Sequence, residues 1–226
     1  MGDPEQLQAI EAGAPFRGIV GQIGMAELTQ VRRQAHPWAR QATQALAAGN
    51  TGAALASYQE RGAIVATQSK AEPRTALLAA WGKEAEAAPA ESRLILAYTR
   101  EDVRELNNAA REIRQSRREL GRSVVVQTTR GARELAANDR ILFLRNEKSL
   151  GVRNGSLGTV EAIEQGILHV RLDGQEEARV IVDPRDYHDL DHGYATTIHK
   201  AQGSTVDRTY VLASRYFDRY TSYVAL

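Results

Sequence analysis

Leu28, Val31, Ala35, Trp38, Ala42 and Ala45 recur at steps of three and four. That spacing predicts one amphipathic helix from about residue 26 to 47, with Gly49-Asn50 as its stop. A shorter helix follows through Leu55 and Tyr58, and a third near Leu77, Leu78 and Trp81. The Ala/Glu-rich stretch from Glu84 to Ala90 reads as a helix end and loop. Leu94–Tyr98 is an apolar run of strand length. Thr99 and Asp102 then make a capping-box-like start for a helix whose apolar face is Val103, Leu106, Ala110 and Ile113. Strand, turn and helix in that order are the unit of a parallel α/β sheet.

The texture changes from about residue 134 to 186. Short strands are expected at Arg140–Leu144, Gly158–Ile163, Ile167–Leu172 and Ala178–Val182. Turn signals separate them at Asn154-Gly155, Gln165-Gly166, Asp173-Gly174 and Pro184, the third being a strong hairpin signal. Several short strands in so little chain predict a small β-barrel. Tyr194–Ile198 and Thr209–Ala213 then return to the α/β pattern. The fold expected is therefore α/β with a small barrel inserted.

Composition narrows the function classes. Hydrophobic residues are 42% of the 226, as in a folded globular protein. No apolar run is long enough to span a bilayer and no signal peptide opens the chain, so a cytoplasmic bacterial protein without a membrane partner is expected. The absence of cysteine removes disulfides and thiolate metal sites. A net charge of +1 argues against gripping nucleic acid by bulk charge. It permits local strips, of which Arg111, Arg114, Arg117, Arg118 and Arg122 form one. A solvated helix face is the first reading of that strip and a phosphate-tracking patch the second. Both ends break off abruptly, at a polar loop after Met1 and within an apolar run at Tyr223–Leu226, so a piece of a longer protein is expected.

No GxxxxGK[ST] phosphate loop is present, since Gly82-Lys83 lacks the earlier glycine. Val180-Ile181-Val182-Asp183 has the form of a strand ending in a magnesium-holding aspartate, but without a phosphate loop it reads as an ordinary strand. No metal-ligating set stands out.

Five strings occur in a telling order. They are Gly2-Asp3-Pro4-Glu5-Gln6-Leu7-Gln8, Leu28–Gln34, Ala97–Asn107, Tyr194-Ala195-Thr196-Thr197-Ile198-His199-Lys200-Ala201-Gln202-Gly203-Ser204, and Tyr220–Leu226. They resemble motifs III, IV, IVa, V and the start of VI of superfamily 1 helicases. The resemblance covers nearly the whole chain and is strongest to the helicase part of TraA-type conjugal transfer proteins, relatives of the RecD-like helicases. In that group the inserted small barrel is SH3-like, and Asn138 to Gly158 resembles its beginning.

The resemblance implies a RecA-like second motor domain with a parallel sheet, carrying an inserted SH3-like β-barrel. Residues 1–17 would be the motif III edge of the first RecA-like domain. Residues 18–133 and 187–226 would form the second, and 134–186 the barrel. Gln6 and Arg33 would act on the terminal phosphate of ATP, the amide because it both donates and accepts, the arginine because its fork is permanently charged. Gly2, Asp3, Gln202 and Gly203 would complete the nucleotide contacts. Tyr98, Thr99, Arg100, Thr197, His199 and Lys200 would hold single-stranded DNA through its backbone. Simple helix capping stands level with DNA contact for the first three of these.

ATP and magnesium would serve the intact protein, and none is expected on these residues alone. The partners implied are single-stranded DNA and the rest of the chain, namely the first RecA-like domain and a relaxase domain. Two departures stand out. Thr205 occupies a position where the family has Glu, and motif VI stops before its arginine. A single-strand-binding module, or an interaction domain that lost motor activity, is the rival reading.

Overall fold

The computed structural model describes residues 15–23, 34, 36–67, 72–174, 178–202 and 204–226. In chain order the elements begin with α1 (Pro15–Ile23), α2 (Pro37–Ala47), α3 (Thr51–Gln59), α4 (Glu72–Ala87), β1 (Arg93–Ala97) and α5 (Arg100–Ser116). Next come β2 (Val124–Thr128), β3 (Gly131–Leu135), β4 (Arg140–Phe143), β5 (Leu157–Glu164), β6 (Ile167–Leu172) and β7 (Arg179–Val182). The last are β8 (Leu190–His192), β9 (Ala195–Thr197), α6 (Ile198–Ala201), β10 (Arg208–Val211) and α7 (Arg219–Ala225). Two compact units emerge, one from the chain up to Pro73 together with Ala213–Leu226, the other Arg74–Leu212. Among the described residues, no helix is long and apolar enough to cross a membrane.

In the first unit α2 is shorter than the apolar spacing predicts. It begins at Pro37, and His36 before it is extended at φ −85° and ψ 135°. Proline favours the first helical position and pushes its predecessor out of the helical region, so a continuous helix through His36 is excluded. The earlier part of the expected helix, 26–33, lies outside the described residues. Ala42, Leu46 and Ala54 join α2 to α3, with Tyr58, Tyr223 and Leu226 packed against them. The Tyr58 hydroxyl donates to the Leu226 carbonyl at 3.0 Å.

The second unit is built on a parallel sheet in the order β10-β1-β9. Central β1 is apolar on both faces (Leu94, Ile95, Leu96 and Ala97 are all buried) because helices and neighbouring strands leave it no wet side. Val103, Leu106 and Ala110 of α5 and Trp81 of α4 pack with Ile95, Ala97 and Ala195. Thr99 starts α5 as expected: its Oγ accepts the Asp102 N–H at 3.0 Å and donates to the Asp102 carboxylate at 2.5 Å. Arg74 also donates to Asp102. Burial opposes ionisation of Asp102, yet these hydrogen bonds hold its carboxyl below the ordinary carboxylate range. Thr99→Ala is expected to cost about 1–2 kcal/mol in thermal unfolding. A loss of a few tenths would show that Arg74 and Asp102 hold this end without the hydroxyl.

Between α5 and β9 the chain leaves the parallel sheet. It first makes the hairpin β2–β3, then the antiparallel sheet β7-β6-β5-β4-β8. Gln165 and Gly166 turn β5 into β6 with φ of 52° and 84°, the two positive values that a type I′ turn requires. All four strands expected in this segment are present. The expected barrel takes a different form: β7 and β8 are the two edges of an open sheet, with no pairing that closes it among the described residues. Two features lie outside the sequence reading. Leu190–His192 adds the fifth strand by pairing with β4, and Val126 and Leu135 of the hairpin enter the same core as Ile141, Phe143, Val160 and Leu168. The hairpin thus covers apolar surface that strand-to-strand closure would otherwise enclose.

Candidate nucleic-acid interface

Parallel pairing decides what meets at the carboxyl edge of the three-stranded sheet. Ala97 at the end of β1 lies in register with Thr197 at the end of β9. The turns that follow, Tyr98–Arg100 and Ile198–Lys200, therefore leave the sheet side by side, where open α/β sheets place ligands. The Tyr98 and His199 rings meet edge to face, 5.9 Å between centroids. Thr197 precedes α6 without spending its hydroxyl on a cap. Thr99, by contrast, commits its hydroxyl to Asp102 and so acts as a helix cap. Gln202 ends α6. Gly2, Asp3, Gln6, Arg33 and Gly203 lie outside the described residues.

Lys200 is half-buried. Burial pushes its ammonium pKa down, the guanidiniums of Arg130 and Arg100 push the same way, and Asp191 opposes them. Arg100 also lines a groove of about 430 Å³ with Glu101, Arg104, Arg130, Arg133 and Asp191. Arg130 and Arg133 come from the hairpin, and both donate to Asp191 of β8, at 2.8 and 2.9 Å. Burial disfavours the charged form of Asp191, but the two arginines keep its carboxyl below the usual range. The inserted segment reaches the same turn elsewhere: a Cβ on Gly155 would stand 3.5 Å from the Lys200 carbonyl, and Gly155 has φ of 96°.

Two further groups hold β9 in place. Asn107, buried on α5, donates to the Ala195 carbonyl at 3.0 Å and accepts the N–H groups of Tyr194 and Ala195 at 2.9 Å each. Sequence carried one signal for it, a polar residue on the apolar stripe of Val103, Leu106 and Ala110. The second group is Asp139, fully buried. It accepts from Arg111 Nε, from the Tyr194 hydroxyl at 2.6 Å and from the Ala136 N–H at 2.8 Å.

The arginine strip is thereby corrected in part: Arg118 and Arg122 are exposed, as on a solvated face, but the other three are not free cations. Arg111 is buried against Asp139 and Ser123, Arg114 donates to Glu119 and the Asn138 carbonyl, and Arg117 donates to the Gly82 carbonyl. These three bind the protein to itself. Neither a solvated face nor a phosphate track describes them, because their partners arrive from α4 and from the segment after α5.

A family model for an AAA domain matches residues 1–69. The crystal structure of the Bacteroides Pif1 helicase in complex with ADP-AlF3 and ssDNA superposes with a TM-score of 0.60 at 19% identity, covering 99% of this chain and 58% of that one. The Pif1 helicase of Candida albicans gives 0.55 at 17%, covering 87% and 52%. Identities this low show a shared fold. Conjugal transfer protein TraA of Agrobacterium fabrum is 48% identical over 227 residues, which take in all of this chain and 20% of that protein. Over its whole length this chain matches a region of TraA-type conjugal transfer proteins. The TraA protein of Rhizobium radiobacter is 46% identical over the same span, again 20% of its length. The TraA-type region thus spans about a fifth of the curated relatives it matches, and its α/β fold with a parallel sheet is that of the Pif1 neighbours. Its two motif turns, Tyr98–Arg100 and Thr197–Lys200, are the part of the helicase pattern that comes together at one sheet edge. The hairpin arginines and Asp139 belong to none of the strings that revealed the family.

Proposed function

We propose that this TraA-type region is the second motor domain of an ATP-dependent DNA helicase acting in conjugative transfer. Its role is to hold the backbone of single-stranded DNA and to sense the terminal phosphate of ATP. The observation that carries the reading is the meeting of Tyr98–Arg100 with Thr197–Lys200 at one sheet edge. An aromatic pair beside cations suits a single strand, whose bases stack and whose phosphates need charge without base readout.

Within this reading residues 1–17 are the motif III edge of the first RecA-like domain. Residues 18–133 and 187–226 form the second, and 134–186 are the counterpart of the SH3-like insertion. Gly2, Asp3, Gln6, Arg33, Gln202 and Gly203 face ATP and its magnesium in the intact protein. The remainder of the protein supplies the other RecA-like domain and a relaxase domain. The 226 residues, with no phosphate loop among them, bind DNA but turn over no ATP.

Lys200→Ala is expected to weaken binding of this chain to a fluorescent oligothymidylate. In a plot of log affinity against log salt, the slope should become shallower by about 0.7, the value for one lost phosphate contact on a single strand. Anisotropy titrations between low and moderate salt read both quantities. Wild-type affinity and slope in the variant would remove Lys200, and with it the motif V turn, from the DNA track.

A further inference from the structure

One side of the groove beside the motif turns is lined by Arg130, Arg133 and Asp191, which no helicase string contains. Arg130 sits at the tip of the β2–β3 hairpin, where the Thr128 Oγ accepts the Arg130 N–H at 3.1 Å and donates to the Gly131 carbonyl at 2.8 Å. Gly131 takes φ of 91°, so the tip is a defined turn. Arg133 lies further along β3, and Asp191 reaches both arginines from β8. Across the groove stand Arg100 and Arg104 near the start of α5, with Glu101 as the second carboxylate.

Asp191 takes one N–H from each hairpin arginine, whereas a guanidinium carries five. The remaining donors leave each arginine able to bind a second oxyanion. The side chains of Arg130 and Arg133 stay 34% and 20% exposed, while that of Asp191 is 12% exposed. The carboxylate therefore lies under the guanidiniums and orients them, as an ion pair does when it limits the rotamers of long side chains. The lowered ammonium pKa of Lys200, to which Arg130 contributes, places the groove and the motif V turn in one electrostatic field.

The geometry points to a second phosphate site on the DNA track: the hairpin's Arg130 and Arg133, held by Asp191, take backbone phosphates of the same single strand that passes Lys200. This rests on the proposed reading of Lys200 and extends it onto the inserted segment. Arg130 and Arg133 are the binding residues, and Asp191 is a positioning residue that touches no DNA. The ligand is the nucleic-acid backbone, since an aromatic pair lies at the same edge for bases and the groove offers no base-reading set.

The test uses the 226-residue chain and oligothymidylates of increasing length, read by anisotropy at several salt concentrations. Arg130→Gln/Arg133→Gln is expected to weaken binding of long oligonucleotides by about tenfold, with a slope shallower by about 1.4 for two lost contacts. The shortest oligonucleotides that bind at all should bind the double variant as they bind the wild type, because they fill only the Lys200 end. Asp191→Asn separates a direct from a structural role. It keeps both arginines and removes a repelling charge while loosening their orientation, so a loss well short of the double variant's is expected. If Asp191→Asn weakens binding as much as the double variant does, the arginines act by holding the hairpin and the proposal fails. Wild-type affinity and slope of the double variant at every length would also overturn it. Loss with Lys200→Ala alone would then leave the motif track standing, and loss with the hairpin variants alone would overturn the motif track instead.

Discussion

Asp139→Ala is expected to destabilise the chain by about 3–5 kcal/mol, read as a lowered midpoint in urea unfolding. The size follows from what the carboxylate holds. Asp139 is fully buried, and three donors converge on it from separate parts of the second unit. Arg111 comes from α5, the Ala136 N–H from the end of the hairpin, and Tyr194 from the step between β8 and β9. Alanine leaves the Arg111 guanidinium, itself 9% exposed, with only Ser123 and a long contact to the exposed Glu134 at 3.4 Å. A buried charge without its partner costs more than the ion pair contributes when intact, so the single change is severe. Replacing the three side chains by apolar groups, as in Arg111→Met/Asp139→Leu/Tyr194→Phe, should recover part of the loss, the Ala136 N–H still lacking its acceptor. A single-variant loss below about 1 kcal/mol would mean that the junction is held by its apolar contacts instead.

Asn107→Leu is the second change with a large expected effect, about 3 kcal/mol in stability together with weaker binding to single-stranded DNA. Its amide serves three backbone groups at the start of β9, the strand that delivers Thr197 and the residues after it. Leucine matches the volume but leaves two N–H groups and a carbonyl without partners in a dry place. The strand end should then drift, and the alignment of His199 on Tyr98 with it. Asn107→Asp keeps the acceptor for both N–H groups and loses only the donor, so it should fall between wild type and leucine. The readout that distinguishes positioning from bulk stability is DNA affinity measured well below the unfolding midpoint of each variant. Full affinity for Asn107→Leu under those conditions would show that β9 keeps its place without the amide.

Much of the α/β part is legible in the sequence because its signals are local. Leu94–Ala97 followed by Thr99 and Asp102 specifies strand, cap and helix within a dozen positions, and the structure places β1 and α5 there. The helix expected from 26 to 47 shows the opposite case. The apolar spacing runs on through His36, but the ring of Pro37 excludes it from the helix. The hairpin β2–β3 escapes sequence reading because Thr129-Arg130 between its strands is no strong turn pair, and three consecutive valines do not announce a face. Open or closed pairing of the inserted strands is equally out of reach, since alternation is the same in both.

Side-chain roles divide along the same line. The string Thr196–Gly203 and the string Ala97–Asn107 are contiguous, so their kinship can be read directly, and identity to TraA proteins along the whole chain bears it out. The purpose of Arg111, Arg114 and Arg117 cannot be read that way. On the helix alone they are cations at exposed-looking positions. Their partners, Asp139, Glu119 and the Gly82 carbonyl, come from other elements.

By itself the sequence determined the local elements of the α/β part, the order of the motifs and the kinship they carry, because torsional preference, capping and apolar period act over a few residues. Tertiary structure alone decided which charges are spent on the fold and which remain for a ligand. A guanidinium is the same group in either case, and only the approach of Asp139 to Arg111, or the open groove before Arg130 and Arg133, tells them apart.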